Sequence, residues 1–292
     1  MVGIKIFLLI NRLFCSHTQE FLFYPERFLK NLHKLFYSFL IKNQTLLTNN
    51  SLFGVFNTEV LNMEWIFKLT NYLIGTCLAS HAALICDRWD DGNFIFTRSR
   101  CSFCHTELCL LDELPIFSYF WLHGKCRYCH NFIPPKLVVI EIIGGFAFIS
   151  FDFSKLLDIL TAIFVFSLLL AAICDYDQME FYLIMILPAV ILALWQSPKI
   201  FSYQLFDFIQ LIPVLITLIY YSLTKKLGFG DFLIYLTLAL YFNPEFANHV
   251  FLFGALFSLT HFLLDETLRS TTSAIAFVPD IFLGLIVQLL LR

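Results

Sequence analysis

At 292 residues, with 59% hydrophobic residues, 36 Phe and only 14% charged residues, the chain has too little polar surface for a water-soluble domain of its size. Its net charge of −3, with Lys and Arg spread over loops, excludes a nucleic-acid-binding face. The class that remains is an all-α polytopic membrane protein whose spans contact the lipid bilayer.

Residues 1–62 fit that class poorly. They carry Lys5, Arg12, Arg27, Lys30, Lys34 and Lys42, their apolar stretch 4–10 is too short for a span, and no small-residue cleavage site follows it. The expected start is Met63, whose neighbours Glu64-Trp65-Ile66 lead directly into an apolar run; the alternative is an amphipathic interfacial arm. Residues 63–135 then read as a first transmembrane helix with a four-cysteine loop, and 136–292 as a transmembrane domain. Apolar runs near 66–86, 136–151, 156–174, 182–195, 205–222, 231–242, 247–264 and 275–291 give about eight transmembrane helices. The division at 152–155 is the least marked.

Cation asymmetry orients them. One set of loops holds Arg88, Arg98, Arg100, Lys125, Arg127, Lys136, Lys225, Lys226 and Arg269, and the other only Lys155, Lys199 and Arg292, which points the cysteine loop to the cytoplasm. Asp175, leaving the third span, and Asp231, entering the sixth, fall on that same face.

The loop contains Cys101-Ser-Phe-Cys104 and Cys126-Arg-Tyr-Cys129, separated by residues 105–125. Each two-residue spacer forms a knuckle that aims both sulfurs at one centre, so the four thiolates suit a tetrahedral structural Zn²⁺. A loop this small and polar also needs a staple to fold. Cys15, Cys77, Cys86, Cys109 and Cys174 read as small apolar packing residues. A rival reading comes from His105 and His130, which make both pairs C-x-x-C-H, the c-type haem attachment pattern; that would mean a dihaem electron-transfer protein. Haem attachment belongs to the outer side of the membrane, opposite to where the cations put this loop.

Ionisable groups at span edges cost insertion free energy, about 2.5–3.5 kcal/mol on insertion scales, and mark function by default. Asp175 follows the run 168–174 directly. Asp231 closes Gly228-Phe-Gly230-Asp231, where glycines without Cβ atoms admit a close neighbour or a strand-like substrate. An ordinary helix cap is the bland reading of that acid. Two carboxylates that meet share one proton and divide general-acid and general-base roles. Asp177, two residues from Asp175, is either the partner or a solvated neighbour, whereas Asp112, Glu113 and Glu141 read as loop or helix-end polar groups.

Taken with Gly75-Thr-Cys-Leu-Ala-Ser80, Arg98-Ser-Arg-Cys101, Leu114-Pro115-Ile-Phe-Ser118-Tyr119, Gly124-Lys-Cys126-Arg-Tyr-Cys129, Ile133-Pro134, Glu141 and Ala274-Ile-Ala-Phe-Val-Pro279, the chain from about residue 63 onward resembles the type IV prepilin peptidases, and among them the competence-type enzymes of Gram-positive bacteria. The resemblance implies a GxGD aspartyl endopeptidase that removes a short basic leader from a prepilin or pseudopilin just after a glycine, at the cytoplasmic face. It implies Asp175 and Asp231 as the catalytic pair, with Gly228, Gly230 and Asp177 supporting them, and Cys101, Cys104, Cys126 and Cys129 as zinc ligands. It also implies S-adenosylmethionine-dependent N-methylation of the new terminus, with Gly124 and Lys125 implicated. The chain departs from the family at Phe181-Tyr182-Leu183, which lacks the usual proline and predicts a less kinked fourth span, and at His105 and His130, where glycine is usual. A different class of reading is an inactive zinc-bearing membrane scaffold.

Overall fold

The structure, a computed structural model, describes residues 58–89, 99–109, 111–196, 203–264 and 276–292. The expected extension up to residue 57, and Arg98, Lys199 and Arg269 of the cation tally, lie outside the described residues. The helices are α1 Thr58–Asp87, α2 Phe117–Trp121, α3 Pro135–Phe148, α4 Leu156–Gln178, α5 Leu183–Gln196, α6 Leu205–Leu223, α7 Phe229–Tyr241, α8 Pro244–Leu264 and α9 Val278–Leu290. Apart from the five-residue α2, each coincides with one of the apolar runs in the sequence. Met63 falls inside α1.

The helices α1, α4, α6 and α8 are long and apolar enough to cross a membrane, and α5, α7 and α9 are shorter apolar helices. The break at 152–155 is a tight turn: the Asp152 carboxylate accepts the Ser154 N–H at 3.1 Å, and the Asp152 N–H donates to Asp158 at 3.0 Å. The fourth predicted span does contain a proline, Pro188, five residues inside α5. Its ring carries no N–H, so one interior hydrogen bond of α5 is missing there.

α4 is the central helix, because its stretch 159–174 is apolar on every side; 61% of its most apolar window is buried, against none for α6. Phe164, Val165, Leu168 and Leu169 pack there against Ile186, Ile234, Leu238 and Leu285 from α5, α7 and α9. The outward Leu, Ile and Phe side chains of α6 would be an aggregation hazard in water and are ordinary in lipid. α1 and α3 approach backbone to backbone: a Cβ on Gly75 would collide with the Gly144 carbonyl, and one on Gly144 with Ala79. Such small-residue seams carry helix association in membranes, where burial of apolar surface supplies no drive.

One disulfide joins this core. Cys86 of α1 and Cys174 of α4 are bonded, with Cα atoms 5.7 Å apart, so their reading as mere packing residues is corrected. The pairing links positions 88 apart in sequence, and no local pattern announces it.

Candidate active site and metal centre

Each CxxC pair is built as the same knuckle. Cys101 N–H donates to Thr106 O at 3.1 Å and His105 N–H to Cys101 O at 2.9 Å; Cys126 N–H donates to Asn131 O at 2.8 Å and His130 N–H to Cys126 O at 3.0 Å. Each knuckle is closed by one antiparallel bridge, Arg100 to Glu107 and Lys125 to Phe132. His105 and His130 both sit in the left-handed region, at φ 55° and 59°. That conformation explains why glycine suits these positions and why histidine is a strained choice.

The two knuckles face each other, and the four sulfurs lie within 4.8 Å of one another. Cys101 Sγ and Cys129 Sγ are 3.8 Å apart. That is the edge of about 3.8 Å that a tetrahedron of 2.3 Å Zn–S bonds requires. The donor set therefore fits one zinc. The haem alternative needs two separated pairs, and these pairs share one centre. The Thr106 hydroxyl, then its backbone amide, draw the Cys104 thiol down to about 6. At Cys129 the Asn131 amide pulls down, but burial and the sulfurs of Cys126, Cys104 and Cys101 push the thiol up to about 11. Four thiols so close cannot all ionise on their own, and a central dication removes that conflict.

Within the loop Arg127 pairs with the buried Asp112 carboxylate at 2.8 Å, Lys136 of α3 pairs with Asp177 of α4 at 2.9 Å, and the loop is held to α3 where the Ile116 N–H donates to Glu141 Oε2 at 2.7 Å. Asp112 is a loop acid, as expected, with its side chain buried, whereas Glu141 lies in mid-α3 and not at a helix end. Gly124, at φ 68°, turns the chain out of α2: its N–H donates to Tyr119 O at 2.8 Å, and a Cβ there would press on the Tyr119 ring at 3.1 Å. Lys125 is exposed, its ammonium 5.1 Å from the Phe132 ring centre.

Asp175 and Asp231 come from different helices to one buried place. Asp175, on the last turn but one of α4, is 8% exposed and Asp231, in the first turn of α7, is 7% exposed. Their charges act on each other directly. Each has one oxygen held by a backbone amide: Asp175 Oδ2 accepts Val278 N–H from the start of α9 at 3.1 Å, and Asp231 Oδ2 accepts Gly228 N–H at 3.1 Å. The cap reading of Asp231 is therefore satisfied by Oδ2 alone, and among the described residues Oδ1 of each acid has no bond. Asp177 turns away to Lys136, so Asp175 is the acid that faces Asp231. A Cβ on Gly230 would collide with the Phe181 ring, so the close neighbour admitted there is a side chain of the α4–α5 connection. Sequence reasoning missed the Val278 amide, the Phe181 wall and Asp280, a third buried acid at this end beside Ser258 and His261 of α8.

The sequence profile of the Bacterial Peptidase A24 N-terminal domain matches residues 73–154, from the α1–α3 glycine seam through the four-cysteine loop. A prepilin leader peptidase/N-methyltransferase of Vibrio cholerae serotype O1 is 22% identical over 247 residues, which is 77% of this chain and 97% of that protein. The chain is thus similar to the type IV prepilin peptidases. Proteins of the same name from Pectobacterium carotovorum subsp. carotovorum and Myxococcus xanthus are 31% identical over 58 residues and 26% identical over 149 residues. Those alignments cover 20% and 50% of this chain, and 21% and 42% of the relatives. No solved structure matches the chain. The profile match covers the four-cysteine loop, and the Vibrio alignment covers most of the chain.

Proposed function

We propose that this protein is a membrane-embedded aspartic endopeptidase that removes the short leader from a prepilin or pilin-like competence protein at the cytoplasmic face. The observation that carries the reading is the meeting of Asp175 and Asp231, from α4 and α7, at the end of the helix bundle that also holds the four-cysteine loop. The cation-rich loops at that end support the cytoplasmic side.

Two buried carboxylates in mutual range share one proton. With each Oδ2 anchored by a backbone amide, the Oδ1 atoms face the reacting centre. The ionised acid takes a proton from a water as it attacks the peptide carbonyl while the protonated acid gives its proton to the developing oxyanion; the newly protonated acid then delivers the water's proton to the leaving amine as the C–N bond breaks, and the gem-diol hydroxyl returns its proton to the other acid. The Val278 and Gly228 amides hold the pair in register, and Phe181 against Gly230 fixes the first turn of α7. Asp177 supports the site from outside by tying α4 to Lys136. Cys101, Cys104, Cys126 and Cys129 would hold Zn²⁺, which when bound staples the loop.

The names of the relatives include N-methyltransferase activity, and we assign to this chain methylation of the new N-terminus by S-adenosylmethionine, with Gly124 and Lys125 at the turn after α2 serving it. Co-expression with a pseudopilin tests both activities: the leader is lost only with an intact dyad, and mass spectrometry of the mature terminus finds one added methyl group. An uncut substrate with the native protein refutes the peptidase reading, and a cut but unmethylated one refutes only the second.

A further inference from the structure

We infer that α2 is a membrane-docked helix: Phe117, Phe120 and Trp121 sit in the interfacial layer of the bilayer and hold the four-cysteine loop against the membrane. These side chains are 69%, 67% and 80% exposed, and Phe132, under Lys125, is 75% exposed. No described part of the chain covers them.

Their depth follows from two fixed levels. The Lys136–Asp177 ion pair sets the start of α3 level with the last turn of α4, just beyond Asp175. Glu141 lies five residues further along α3, about 7–8 Å deeper at 1.5 Å per residue. It accepts the Ile116 N–H at 2.7 Å, so α2 starts at that depth, level with or beneath the two acids. The Ser80 hydroxyl, which also engages Glu141, gives a second mark, because it lies seven residues inside the end of α1. A short helix held beside two spans at such depth, with three aromatic side chains turned outward, meets lipid and not water.

The distribution of tryptophan agrees. The other highly exposed tryptophans, Trp65 near the start of α1 and Trp195 at the end of α5, mark the opposite end of the bundle, so Trp121 completes the second of two aromatic belts. Lys125 stands beside Phe132, where its ammonium reaches the headgroup layer while the ring enters below it. The burial of an interfacial helix, about 5–10 Å into the headgroup and acyl boundary, matches the depth set by Glu141.

The test reads Trp121 in full-length protein bearing Trp65→Phe, Trp89→Phe and Trp195→Phe, reconstituted in phosphatidylcholine–phosphatidylglycerol vesicles. Its emission is expected to be blue-shifted, quenched by brominated phosphatidylcholine and insensitive to aqueous iodide. Quenching by iodide without quenching by bromolipid overturns the proposal, and so does protection from both, which would mean a protein cover. If the substituted protein does not accumulate, the native protein is compared with its Trp121→Phe variant: the variant must lose a bromolipid-quenched component, and an unchanged bromolipid response overturns the proposal. The readout needs no peptidase activity, so it stands or falls separately from the proposed function.

Discussion

Gly230→Ala probes the wall of the candidate site without touching a carboxylate. The new Cβ would land inside the Phe181 ring, and Phe181 is half-buried between α4 and α5, so either the ring rotates away or the first turn of α7 shifts. Overpacking of this kind costs about 1–3 kcal/mol. A shift of about 1 Å in Asp231, the next residue, is enough to lower turnover about 10²-fold. Phe181→Ala alone removes the wall and should cost less than the roughly 3–5 kcal/mol of a fully buried Phe. In the double variant the alanine occupies space the ring has left, so its loss should not exceed that of Phe181→Ala alone, a coupling of about 1–3 kcal/mol in favour of the pair. Thermal unfolding in detergent and cleavage of a prepilin substrate measure the two sides. Strictly additive losses, or a Gly230→Ala protein indistinguishable from the native one in both assays, would refute the close approach.

Purified reduced protein should contain about one zinc per chain by elemental analysis, and Cys101→Ser with Cys126→Ser should abolish it; metal-free native protein with two loop disulfides would contradict the shared centre. His105→Gly and His130→Gly should each relieve left-handed strain by about 1 kcal/mol and slow zinc loss to a chelator, whereas faster loss would show that the histidines contribute more than they cost. Because the Lys136–Asp177 pair is partly exposed, Asp177→Asn should change stability by no more than about 1 kcal/mol and leave most cleavage intact; complete loss of cleavage would place Asp177 in the dyad.

The positions of the long helices were legible in the sequence because a membrane span must satisfy its backbone internally and so writes itself as a continuous apolar run. The cysteine knuckles were legible too, since ligand spacing is local. Contacts between distant segments were not. Nothing near Cys86 identifies Cys174 as its partner, and Glu141 reads as a polar residue near a helix end until the Ile116 amide is seen against it. Asp231 shows why the site was only half readable: its Gly-x-Gly-Asp setting is visible, but which acid faces it depends on α4 ending with Asp175 turned inward and Asp177 turned to Lys136. The usual proline is absent near Phe181, and the proline that α5 does carry, Pro188, lies further inside the same run.

Single-turnover cleavage of a purified prepilin by the native, Asp175→Asn, Asp231→Asn and doubly substituted proteins in liposomes tests the shared-proton dyad most directly. Each single variant should insert and accumulate yet lose about 10²–10⁴-fold in rate, and the double variant should be no slower than either, because the two acids act as one unit. Normal cleavage by either single variant, or losses that multiply in the double one, would contradict it.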